Sequence, residues 1–202
     1  MHALSNIHHL LSEILHGTYA HHIDRLKSVF TAMDQKYREA ADHYDFRCTG
    51  CDDNCCLTRF YHHTLLEYLY ILEGFRTLDN EKQLAIKRRA RDVCRKTDEA
   101  GEKERPVRLM CPLNFDGLCL LYEYRPMICR MNGIPHELQN PGSGYTYKPG
   151  CDAFSEQCLQ QDYIKFDRTP FYIEMAKLEK ELRAAVNITQ KVKYTVAQLF
   201  IL

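Results

Sequence analysis

The sequence predicts a mostly α-helical protein whose helices surround an irregular, cysteine-rich metal-binding core with one small β-hairpin. Three observations predict this class. Apolar residues recur at helical spacing toward both ends of the 202-residue chain. Proline and glycine crowd the stretch 106–150, where they break any long regular element. Ten cysteines are present, four of them within Cys48-Thr-Gly-Cys51-Asp-Asp-Asn-Cys55-Cys56.

Composition narrows the function classes. Hydrophobic residues make up 45% and charged residues 27%, the balance of an ordinary folded chain. Lys plus Arg equals Asp plus Glu at 27 each, so no net charge draws the chain toward nucleic acid or a membrane surface. No apolar run approaches the roughly 18 residues that a bilayer span requires. The start, Met1-His-Ala-Leu-Ser-Asn, lacks the basic and apolar regions of a signal peptide, and a cytoplasmic location is expected. There thiols stay reduced, so clustered cysteines read as metal ligands before they read as disulfides.

In chain order, Leu4, Ile7, Leu10, Leu11, Ile14 and Leu15 predict a helix over 4–15, interrupted by Gly17. A second helix is expected from about Tyr19 to Tyr44, with Ile23, Leu26, Phe30, Met33 and Tyr37 along one side. Histidines 8, 9, 16, 21 and 22 belong to the polar faces of these helices. The span Phe60–Phe75 is apolar on most sides, which predicts a central, buried helix. It would place Cys55 and Cys56 at its N-terminal end, where the helix dipole favours thiolate; His62 and His63 could add mixed ligands. Residues 80–100 form a charged helix with Leu84, Ile86, Ala90 and Val93 inward. Its basic run (Lys87, Arg88, Arg89, Arg91) has no interleaved aromatics and reads as a solvated face rather than a nucleic-acid contact.

Short strands are expected at Leu118–Tyr122 and Gly144–Tyr147, paired as one hairpin. Thr169-Pro170 supplies an N-cap and a first-turn proline for a helix that runs to about Val186. The tail from Tyr194 to Leu202 is apolar enough to need cover, from its own core or from a second subunit through the terminal helices. Asn187-Ile-Thr189 matches a glycosylation sequon by chance. The expected organisation is an N-terminal helical extension (1–45), a cysteine-cluster domain (46–160) and a C-terminal helical extension (161–202).

The motifs carry a more specific signal. A C-x2-C-x3-C-C loop is followed by Cys111-Pro-Leu and by Gly117-Leu-Cys119-Leu-Leu-Tyr122-Glu-Tyr-Arg125-Pro126-Met-Ile-Cys129-Arg130. Together these resemble the CxxCxxCC family, a zinc- or iron-chelating cysteine-cluster domain, over about residues 46–158. The first loop departs from that pattern, with three residues rather than two before the Cys pair. The resemblance implies metal ligation by Cys48, Cys51, Cys55, Cys56, Cys111, Cys119 and Cys129. Cys151 is the chosen eighth ligand and Cys158 its reserve. One branch of the family carries the cluster within flagellin lysine methylases, which use S-adenosylmethionine. A methyltransferase is therefore the alternative to a metal-binding protein with a redox, metal-handling or structural role. Against it, no glycine-rich loop follows a predicted strand.

Residue chemistry points to the same set. Four thiolates around Zn2+ leave a net charge of about −2, which nearby cations or donors must offset. Arg125 and Arg130 flank Cys129 for that purpose, and Tyr122 could add a hydroxyl; an ion pair of Arg125 with Glu123 or Asp116 is the competing reading. Adjacent cysteines diverge too much to chelate one tetrahedral ion together, so two neighbouring centres or a larger cluster are expected. An iron–sulfur cluster is favoured over Zn2+. Cys94, alone in a charged helix, is expected to be a small buried hydrophobe.

Overall fold

The computed structural model describes residues 19–48, 55–101, 107–140, 142–158 and 161–201. The predicted helix 4–15 and Cys51 lie outside the described residues. Seven α-helices and two short antiparallel hairpins are present among those described, in agreement with a mostly helical class. One contiguous hydrophobic core runs through them.

Helix α1 (Ala20–His43) buries Ile23, Leu26, Phe30 and Met33, the face its periodicity predicts. It ends because Asp45 turns left-handed at φ 49°, letting the Phe46 N–H reach back to the Ala41 carbonyl at 2.9 Å. That reversal delivers Phe46 and Cys48 to the side of the molecule where the other cysteines gather.

Helix α2 (Leu65–Thr77) is the central one, with Leu65, Leu66, Tyr68, Leu69, Tyr70, Ile71 and Phe75 all buried. It begins five residues later than the apolar run suggested. The segment before it is extended instead, and His62 exchanges backbone hydrogen bonds with Tyr194 at 2.8 and 3.1 Å. Each free N–H at the start of α2 finds an acceptor. The Thr64 hydroxyl caps Glu67 N, and the buried Glu179 carboxylate accepts from Leu65 N at 2.8 Å and Leu66 N at 3.1 Å. Glu179 belongs to helix α6 (Thr169–Ala185), so the start of α2 is fixed by a residue over a hundred positions away.

Helix α3 (Asn80–Ala100) starts on the Asp79 side chain, which accepts from Lys82 N, and packs against the terminal helix α7 (Val196–Phe200). The Phe75 and Phe200 rings meet at 4.8 Å, and Tyr194, Ala197, Leu199 and Phe200 are all buried. The apolar tail is thus covered by the chain's own core. Of the basic run, Lys87 lies over the Phe75 ring and Arg89 over Phe115.

The middle of the chain holds two hairpins where one was expected. Strands β1 (Asn114–Phe115) and β2 (Leu118–Cys119) pair across Asp116 and Gly117, both at positive φ. Strands β3 (His136–Asn140) and β4 (Gly144–Lys148) make the second, with His136 opposite Lys148. Leu118–Tyr122 and Gly144–Tyr147 therefore do not pair with each other. Thr169 is the first residue of α6 rather than its cap. Its hydroxyl accepts from Gln139 N at 2.8 Å, tying the helix to β3.

The short helix α4 (Met127–Arg130) is locked to α1 and α2 by buried polar groups. Glu67 of α2 accepts from Met127 N at 2.8 Å. Arg130, 4% exposed, pairs with Asp34 of α1 at 2.6 Å and donates to the carbonyls of Arg125 (2.7 Å) and Glu123. Its guanidinium also lies 4.3 Å from the Phe30 ring centre. A Cβ at Gly74 would overlap the Tyr124 ring, so glycine lets the 122–124 turn rest directly on α2. The loop between β2 and α4, which joins Cys119 to Cys129, is therefore anchored on the helical core. Helix α5 (Asp152–Gln157) follows Cys151 and inserts Phe154 against Tyr44 and Phe46 at 4.8 and 5.3 Å.

Candidate metal centre

The segments that carry cysteines converge on one cavity of about 580 Å³. Cys48 reaches it from the turn after α1, and Cys55 and Cys56 from a single 3-10 turn, Cys55–Leu57. Cys111 and Cys119 reach it from the β1–β2 region, Cys129 from α4 and Cys151 from the start of α5. Seven of the eight expected ligands thus face one space, and the eighth, Cys51, lies outside the described residues. Cys158 does not join them. It is buried away from the cavity, with Sγ 3.5 Å from the Tyr44 carbonyl oxygen.

Local backbone bonds explain how the distant loops meet. The Cys111 N–H donates to the Cys56 carbonyl at 2.8 Å, joining the two halves of the motif directly. Asn114 N then donates to the Cys111 carbonyl at 3.0 Å, and Asn114 stands opposite Cys119 in the hairpin. Cys151 N donates to the Gly133 carbonyl at 2.9 Å. Gly133 itself sits at φ 112°, and a Cβ there would lie 3.1 Å from the Tyr37 hydroxyl and 3.9 Å from Cys151 Sγ. Glycine at this point allows Tyr37 and Cys151 to approach from opposite sides.

Electrostatics separate the thiols by role. The Cys55 S–H donates to Cys56, and with the Asn114 side chain and Arg125 this holds the Cys56 thiol down to about 6. Cys55 keeps its proton for the same reason, and burial raises it further. The expected helix-dipole effect on this pair is absent, because the 3-10 turn stands apart from α2 and the start of α2 is occupied by Thr64 and Glu179. Burial pushes the Cys111 thiol up to about 12 and raises Cys119 and Cys129 as well, with Arg125 opposing the shift at both of the latter. Burial that disfavours thiolate at Cys111, Cys119 and Cys129 is a cost that a bound cation would offset.

The two flanking arginines divide the work. Arg130 is committed to Asp34 and to backbone carbonyls, so it braces the loop rather than the thiols. Arg125 faces the cavity, its Nε donating to the Tyr122 carbonyl at 2.8 Å and its guanidinium 3.5 Å from the Tyr122 ring centre. Its attraction reaches Cys56, Cys119 and Cys129. Arg125 makes no ion pair with Glu123 or Asp116 among the described residues.

Three lining residues are additions to the sequence reading: Tyr37, Asn114 and Cys94. Tyr37 was visible as the end of the apolar stripe of α1, where a phenol is both packing and donor. Cys94 lines the far side of the cavity from α3, and its raised thiol reflects burial and the nearby Asp98. His62 also lines the cavity, but His63 does not; burial lowers His62 to about 4, and its Nε2 has no partner.

Among the described residues, no three His, Cys, Asp or Glu side chains are already drawn together closely enough to hold an ion. Among the described residues, no helix is long and apolar enough to cross a membrane. No family model, no curated protein and no solved structure matches the chain.

Proposed function

We propose that the chain is a metal-binding cysteine-cluster protein whose iron–sulfur cluster or zinc serves a redox, metal-handling or structural role. One observation carries this reading. Seven of the eight expected ligands, from five separate segments, line a single cavity, though nothing in ordinary core packing requires thiols there. The donor set suits soft, thiophilic metals, since thiolates select zinc, copper(I) and iron–sulfur centres over calcium or magnesium. Cys48, Cys55, Cys56, Cys111, Cys119, Cys129 and Cys151 would hold the metal, with Cys51 as the eighth donor by sequence. Arg125 would offset the negative charge of the thiolates, and Asn114 would donate to Cys56. A bound iron–sulfur cluster would supply one-electron chemistry; zinc would supply a fixed cross-link. The methyltransferase alternative gains nothing from the fold, because the described sheets are two-stranded antiparallel hairpins.

The test is anaerobic purification followed by metal analysis and an absorption spectrum. Iron with matching sulfide and charge-transfer bands near 400 nm, or zinc without them, is the expected outcome. Chelation should then lower the melting temperature, because the ligands join segments about a hundred residues apart. A chain that carries no thiol-bound metal, and whose melting is indifferent to zinc or iron, refutes the reading.

A further inference from the structure

We propose that strand β4 pairs edge to edge with the β4 of a second copy of this chain, antiparallel and centred on Thr146. None of the residues of this surface lines the cavity, so the pairing stands apart from metal binding.

Strand β4 is the free edge of a small sheet, whose other strand is already occupied on its far side. Glu137 N donates to the Phe166 carbonyl at 2.8 Å, Arg168 N donates to the Glu137 carbonyl at 2.9 Å, and Gln139 N donates to the Thr169 hydroxyl at 2.8 Å. Glu137 thus turns both backbone groups, and Gln139 its N–H, away from β4; these two residues stand opposite Tyr147 and Tyr145. Bonded and non-bonded pairs alternate along an antiparallel ladder, so Tyr145 and Tyr147 present their own N–H and C=O groups to the open edge. Among the described residues, no backbone bond joins 144–148 to any segment but β3. Edge strands are usually blunted by proline or a central charge, yet this one reads Gly-Tyr-Thr-Tyr-Lys, with its one charge at the end.

The edge is complementary to itself. With Thr146 on the two-fold axis, Tyr145 of each copy stands opposite Tyr147 of the other, and each such pair exchanges both backbone bonds. Gly144 then faces Lys148, so no lysine meets a lysine. Centring on Tyr147 instead would bring Pro149, which has no N–H, opposite Tyr145. Centring on Tyr145 would set Tyr147 against Ser143 in the turn. The side chains agree with the Thr146 register. Tyr145, Tyr147 and Tyr163 are 54%, 53% and 41% exposed, and the Tyr147 and Tyr163 rings lie 5.3 Å apart. Lys165 Nζ lies 5.2 Å from the Tyr145 ring centre. Pairing sets the tyrosines of the two copies against each other as aromatic cross-strand neighbours. An edge of five residues covers less than the roughly 800 Å² per partner of a standard interface, so the dimer is weak and reversible.

Sedimentation equilibrium from about 10 µM to about 1 mM tests this, under reducing conditions that keep the native thiols from cross-linking. The wild-type mass should rise with concentration from 23.8 kDa toward twice that value. Thr146→Lys places two like charges face to face on the axis and should weaken association about tenfold, with circular dichroism unchanged. Position 146 faces its own copy at about 4.5 Å between Cα atoms, within disulfide reach, whereas position 148 lies about 14 Å from its copy. Mild oxidation should therefore link Thr146→Cys chains through that position, as mapped by peptide mass spectrometry, and leave Lys148→Cys chains unlinked through theirs. Should the lysine variant unfold, the cross-linking pattern decides alone. A wild-type chain that stays monomeric throughout, a dimer that Thr146→Lys does not weaken, or equal linking at 146 and 148 overturns the proposal.

Discussion

Removing the Glu179 carboxylate should be among the costly single changes on α6, because it strands two backbone donors in the core. Glu179 is 8% exposed and accepts from Leu65 N, Leu66 N and Arg183 Nε. In Glu179→Ala the arginine can still bond the Gln190 carbonyl, but the two backbone N–H groups lose their acceptor inside the core. At about 1–2 kcal/mol for each stranded donor, plus the lost side-chain packing, the expected cost is about 3–4 kcal/mol. For a chain of this length that is a fall in melting temperature of about 10 °C. Glu179→Gln keeps one acceptor oxygen and should lose roughly half as much. Urea unfolding of the three proteins measures this, and amide exchange at Leu65 and Leu66 locates it. A cost below about 1 kcal/mol for the alanine variant, or equal costs for both, would refute the capping argument. Metal content per folded chain should not change, since Glu179 touches no thiol.

Two further predictions concern the cavity. His62 releases its proton at about 4 in the folded chain, because it is buried, against about 6.5 when unfolded. The unfolded state thus binds the extra proton between those values, and stability should fall as pH drops from about 6.5 to about 4, by on the order of 3 kcal/mol, then level off. His62→Phe should remove that component, read as the difference between the two proteins' urea midpoints at pH 7.5, 5.5 and 4.5; parallel curves would count against it. Cys129→Ser should lose much of the bound metal, whereas Cys94→Ser should keep all of it despite lining the same cavity, because Asp98 rather than a thiol is its charged neighbour. Metal analysis of the two variants decides, and equal retention would contradict the assignment.

Much of the architecture was legible because long helices write their period into the sequence. The faces of α1 and α6 follow Ile23 to Met33 and Met175 to Leu182, while on α3 Ile86 and Ala90 are buried but Leu84, expected inward, is exposed. The start of α2 was not legible, since Phe60 and Tyr61 extend its apolar run and only the distant Tyr194 draws His62 into a bridge. Strand β3, His-Glu-Leu-Gln-Asn, has one apolar residue and no alternation to reveal it. Of the eight cysteines that the family resemblance singled out, seven line one cavity. The division of labour between Arg125 and Arg130 was hidden, because it depends on Asp34, which lies 96 positions from Arg130.

The same arrangement bears on what metal does for the fold. The helices α1, α2 and α6 bury their own apolar faces, and the loop from Cys119 to Cys129 is anchored to them by Glu67, Arg130 and the Gly74 contact. None of these contacts uses a thiol. Metal loss should therefore act unevenly. The helical core holds through its hydrophobic packing, while the Cys48 and Cys55–Thr58 segments, tied to the rest chiefly by the bond between Cys56 and Cys111, lose their main constraint. With the proposed metal bound, a binding free energy that would fold a small zinc domain outright would be directed at fixing one wall of a cavity onto a scaffold already built.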